Sequence, residues 1–182
     1  MKIAVLVALL SIFTGFLLQN HPYLSEGEKL VNATLSDTAK IIKNKYKIQP
    51  SGSGAAMPGG PIQELTLCFD TKGPFSKEHL RKLLVECAQE MVTQVNTNAN
   101  IQQFLKKKPF TIMNSEIIIF NQDKTGRETY DPDIATARIS QGVLIYKTND
   151  PKDSYRYKAE TDETYEEALK ILSSEGSSAT IR

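Results

Sequence analysis

Cysteine and histidine are scarce in this chain, with two of each in 182 residues. Cys68 and Cys87 allow one disulfide at most, which excludes the multiply bridged scaffolds of small secreted domains. His21 and His79 lie in separate segments, so the spacing of a zinc motif is missing. Excess charge of either sign is lacking too. The formal net charge is +1, and Lys2 accounts for it, leaving a body of zero net charge. A neutral body argues against nucleic-acid binding, which needs a basic surface to displace counterions, and it gives no long-range field to steer a charged substrate. No nucleic-acid partner, metal or cofactor is expected.

What the chain does have is an apolar start. Ile3 to Leu18 reads IAVLVALLSIFTGFLL, uncharged throughout. As a helix it spans about 24 Å at 1.5 Å per residue. That length falls between the core of a cleaved signal peptide and a full membrane span. The next residues, Gln19, Asn20, His21, Pro22 and Tyr23, give a signal peptidase no small pair. Residues 1–24 are therefore expected to be a signal peptide or membrane anchor, the missing cleavage site favouring an anchor that meets the membrane through residues 3–18. Lys2 inside and no base in residues 19–28 place the remainder outside the cytoplasm.

The composition, 40% apolar and 24% charged, is that of an ordinary globular protein. Residues 25–46 predict an amphipathic helix, opened by a Ser25/Glu28 capping box and carrying Leu30, Val31, Leu35, Ile41 and Ile42 at helical spacing. Residues 47–61, KIQPSGSGAAMPGGP, break all periodicity and read as a Gly/Pro-rich linker. Ile62 to Asp70 alternates as a half-buried strand. Residues 77–97 form the clearest helix, capped by Ser76, with Leu80, Leu83, Leu84, Cys87, Ala88, Met91 and Val95 in one stripe. A short helix is expected at 99–107. The run Ile117–Phe120 suits a central strand, and Ile134–Ser140 with Val143–Thr148 a hairpin about Gln141-Gly142. A rival reading there is a short helix from Asp131. A strand at Ser154–Glu160, a helix at 162–172 and a flexible tail at 173–182 complete the chain. The expected fold class is α+β, with two layers: a mostly antiparallel sheet in a domain spanning 62–172, with helices packed on one face, preceded by an N-terminal hydrophobic helix.

No motif specifies a reaction. Asp123-Lys124-Thr125-Gly126 has the form of a phosphorylated aspartate loop, but Arg127-Glu128-Thr129 follows it and no second acidic motif exists; it reads as a polar turn. Cys87 and His79 are eight positions apart on one predicted helix, about 12 Å along its axis, too far to act together. Lys106-Lys107-Lys108 reads as a solvated helix end. Tyr146, Tyr155, Tyr157 and Tyr165 crowd the C-terminal third. They suit sheet packing or a recognition surface, and Tyr146, Tyr155 and Tyr157 are the candidates for the latter.

Gly52-Ser53-Gly54 with Met57, Leu65 to Phe69, Gly142 to Tyr146, and Glu163 to Leu169 together resemble a group of small exported proteins from chlamydia-related intracellular bacteria. The resemblance covers about residues 48–170. It implies export and a shared fold and carries no catalytic residues. The expected function is a non-enzymatic exported or membrane-anchored interaction domain with a protein partner. The alternatives are an extracytoplasmic hydrolase or carbohydrate-active protein using Asp70, Asp131 or Asp133, and a structural envelope subunit.

Overall fold

The computed structural model describes residues 25–178; the apolar segment 3–18 and the last four residues lie outside them. The elements run α1 (Glu26–Tyr46), β1 (Gln49–Ala56), β2 (Glu64–Lys72), α2 (Lys77–Thr97), α3 (Ala99–Gln102), a 3-10 turn (Ile112–Asn114), β3 (Ser115–Gln122), β4 (Thr136–Ser140), β5 (Val143–Asp150), β6 (Asp153–Thr164) and α4 (Tyr165–Ser178). The six strands form one sheet in sequence order. β2 and β3 are parallel neighbours, joined by the crossover that holds α2; the other four pairings are antiparallel. The fold is α+β with a mostly antiparallel sheet.

Alternation assigns the sheet faces. Leu65, Leu67 and Phe69 of β2, Ile117 and Ile119 of β3, Ala137 and Ile139 of β4, and Leu144 and Tyr146 of β5 are all buried. Above them α2 inserts its expected stripe, every member of it buried. α1 packs beside α2 over β1 and β2, and α4 lies against α2, β5 and β6. The opposite face, bearing Thr66, Cys68, Ile118, Phe120, Arg138 and Ile145, has no helix of the described residues over it and is half-buried or exposed. Ile117–Phe120 is thus a one-sided strand rather than a fully buried one: only alternate residues meet the helices.

The linker expected at 47–61 is corrected. Residues 49–56 are β1, paired with β2 from Gln49↔Asp70 to Ala56↔Glu64. Serine, glycine and alanine carry no hydropathy alternation, and a sheet edge exposed on both faces demands none. The connecting loop begins only at Met57, after β1, with Gly59 and Gly60 at φ 76 and 106, where a side chain would be strained. α1 therefore cannot be a detached stalk. Its Val31, Leu35 and Ile42 belong to the same core as the sheet, and its Ser25/Glu28 capping box forms as the spacing predicts.

Three boundaries also move. α3 is a single turn, held by Asn98 accepting from the Asn100 amide. β6 runs on to Thr164 because Thr161–Thr164 pair with Val143–Tyr146. α4 then starts from a Thr164/Glu167 capping box and continues to Ser178, through part of the expected tail. The hairpin at Gln141-Gly142 forms with both residues at positive φ, 49 and 76, the conformation of a two-residue type I′ turn.

Cys68 faces the open side of β2, and Cys87 is buried in the helix layer on the other side; both are free. Burial pushes the Cys87 thiol well up, with the nearby Glu86 and Glu90 charges adding to it. Burial, then the Glu116 and Asp70 charges, raise Cys68 as well. A thiol reagent should find Cys68 slow and Cys87 inert in the native protein. Unfolding without reductant should release both, and release of neither would contradict this geometry.

Candidate functional site

The open face ends in a cleft that two irregular segments complete. β5 and β6 extend past the five-residue β4, so their hairpin projects beyond the sheet. Register breaks between Thr148 and Asp150 bend the hairpin, as bulges do. The loop 123–135 comes up to meet it. Asp131 anchors the two together: its amide donates to the Asn149 carbonyl at 3.1 Å, and its carboxylate accepts from Lys158 at 2.6 Å. The resulting cavity is about 310 Å³, lined by Phe120, Glu128, Thr136, Asn149, Tyr155, Arg156 and Tyr157 among others.

Its floor is fixed by polar bonds. Asn121 is buried; its side chain accepts from the Phe75 amide and donates to the carbonyls of Phe75 and Ile134. Thr129 donates to the Asn121 carbonyl at 2.7 Å, and the Asn149 amide group donates to the Thr129 carbonyl at 3.1 Å. The loop itself is closed by Asp123, whose carboxylate accepts from the Thr125 amide and hydroxyl and the Arg127 amide. Those bonds, the Thr125 hydroxyl first, hold its carboxyl well below the usual range. Asp123 is committed to its own turn, and Gly126 sits at φ 84.

The rim, by contrast, is aromatic and unpacked. Tyr155 is 98% exposed, Tyr157 53%, Phe120 40% and Tyr130 of the same loop 37%. Among the described residues these are four of the seven exposed large hydrophobics, so the exposed apolar surface concentrates here. Lys147 stacks its ammonium 4.6 Å from the Tyr157 ring centre and bonds Glu160 at 3.0 Å, which sets the ring's orientation.

The three tyrosines do not share this site. Tyr155 and Tyr157 line the cleft. Tyr146 is corrected from surface to core: it is 2% exposed, because the even positions Leu144 and Tyr146 of β5 face the helices. Its hydroxyl donates to Glu163 at 2.5 Å, Arg81 donates to both oxygens of that carboxylate, and Lys77 lies 4.6 Å above its ring. Burial, then the bond to Glu163, push the phenol far up.

The carboxylates considered for hydrolysis, Asp70, Asp131 and Asp133, come from β2 and from the loop 123–135. Asp70 registers beside Phe120 at the sheet end of the cleft, whereas Asp131 is held at the hairpin by Asn149 and Lys158. An acidic pair that approaches is Glu64 and Glu116, on the open face. Desolvation, then the Glu116 charge, raise Glu64; Glu116 accepts from Thr66 at 3.0 Å and meets Arg138 at 3.7 Å. Among the described residues no group of three or more histidine, cysteine, aspartate or glutamate side chains is placed to hold a metal.

Phe120, Glu128 and Arg156 are among the cleft residues that sequence reading missed. Phe120 was hidden in an apolar run; Glu128 and Arg156 join the site through a loop and a bulge with no local signature. No protein-family model matches the chain, and no curated protein or solved structure is significantly similar to it.

Proposed function

We propose that this chain is a non-enzymatic interaction domain that recognises a protein partner through the cleft between the β5–β6 hairpin and the loop 123–135. The clustering of exposed Tyr155, Tyr157 and Phe120 around a rigid polar floor carries the reading. Aromatic side chains with an arginine beside them are the anchors that dominate protein interfaces, and exposed rings on a stiff frame lose little freedom on docking.

The apolar segment 3–18 delivers this domain outside the cytoplasm, as an exported protein or held at the membrane through that segment. Among the described residues no helix is long and apolar enough to cross a membrane. The test is photo-crosslinking of the full chain in its native cells, with a benzoylphenylalanine at position 155 or, as control, at Leu169 on α4, which is also surface-exposed. A protein adduct unique to position 155 and lost on Arg156→Glu is the expected result. The same adducts from both positions would sink the reading.

A further inference from the structure

The two edges of the sheet are unlike. β6 carries Arg156, Lys158, Glu160 and Asp162, the charges that keep an edge from pairing with foreign strands. β1, at the other edge, reads QPSGSGAA and holds no charge. Pro50 and the bulge between Pro50 and Gly52 protect only its first residues. From Ser51 to Ala56 alternate N–H and C=O groups point away from β2, with no strand of the described residues beyond them.

Packing on β2 does not require the two glycines of this strand. A Cβ at Gly52 would meet Cys68 at 3.5 Å and one at Gly54 would meet Thr66 at 3.7 Å, both ordinary contacts. Glycine inside a strand otherwise marks a place where another backbone comes close. Beside the edge, between α1 and β1, runs a groove of about 390 Å³ with Leu35, Ala39, Pro50 and Leu67 among its walls. Lys40 is the one charged residue in its lining. Its partner Asp37, at 2.9 Å, is as open to solvent as Lys40 itself, so an incoming acid can replace or share that contact.

The geometry points to a strand-addition site: an extended peptide segment of a partner protein pairs with Ser51–Ala56 and inserts one bulky apolar side chain, with an acidic neighbour, into the α1–β1 groove. The unpaired backbone demands an extended partner. The groove volume decides against a second copy of this chain as that partner, because residues 51–56 of another β1 offer only serine, glycine and alanine and would leave the groove empty. The site is at the far edge of the sheet from the aromatic cleft and stands independently of it.

The test is a displayed library of nine-residue peptides selected on the full chain in mild detergent. Selected peptides should alternate, with one large apolar residue and an adjacent acid. Adding one should slow amide exchange over residues 51–56 and leave residues 153–160 unchanged. Ser36→Trp, at an exposed groove-lining position, should fill the groove and weaken binding at least tenfold with the thermal transition unchanged. Three results would overturn the proposal: no enriched peptide, binding indifferent to Ser36→Trp, or β1 protection that arises from concentration-dependent dimerisation without peptide.

Discussion

Replacing Arg81 with methionine should cost about 3–5 kcal/mol, the usual penalty for leaving one buried charge without its partner. The Arg81 and Glu163 side chains are 8% and 9% exposed, so water cannot take over the lost contact. The Arg81 Nε meets both carboxylate oxygens, at 2.9 and 3.0 Å. The Tyr146 hydroxyl donates to one of them. Removing the guanidinium therefore leaves the carboxylate in the core with a phenol as its remaining identified donor. The double replacement Arg81→Met/Glu163→Met takes out both charges and should recover most of the loss. Urea unfolding with an unchanged slope is the measurement. A single-variant cost under about 1 kcal/mol would show that the pair is hydrated.

Removing α1 and β1 should have a larger effect still. A fragment starting at Ile62 lacks Val31, Leu35, Ile42 and Ile48, each at most 3% exposed in the intact domain. At about 1.5–3 kcal/mol per buried aliphatic side chain, their loss amounts to about 6–12 kcal/mol, comparable to the whole stability of a typical domain. It also uncovers Leu65 and Leu67 and makes β2 an open edge. Such a fragment should show no cooperative thermal transition and should bind hydrophobic dyes, whereas a fragment starting at Ser25 should melt cooperatively. Similar melting of the two would mean that the first helix and strand are an attachment to a self-sufficient core.

Both expectations depend on features the sequence shows unevenly. Helical stripes and strand alternation are plain because burial on one side imposes a period, and α1, α2, β2 and the β4–β5 hairpin are all readable that way. β1 is silent because small side chains on a two-sided edge have no buried face to report. Its recognition as a strand needs β2 beside it. The Arg81–Glu163 pair joins α2 to β6 across 82 positions, and no local pattern announces it. Tyr146 and Tyr157 look alike in sequence, yet the bulges after Thr148 and the parity of β5 send one into the core and the other to the rim. The Thr164-x-x-Glu167 cap was legible by the same rule that locates Ser25 and Glu28, and it marks where β6 stops.

The claim that the cleft is the recognition site is tested most directly by the affinity of the crosslinked partner for three full-length proteins: wild type, Tyr155→Ala/Tyr157→Ala, and Ile41→Ala on the distant surface of α1. The tyrosine variant should weaken binding by about 2–4 kcal/mol, or about 30- to 1,000-fold, and keep the wild-type thermal transition because neither ring is buried. Ile41→Ala should bind as wild type. Equal affinities for all three proteins would contradict the account.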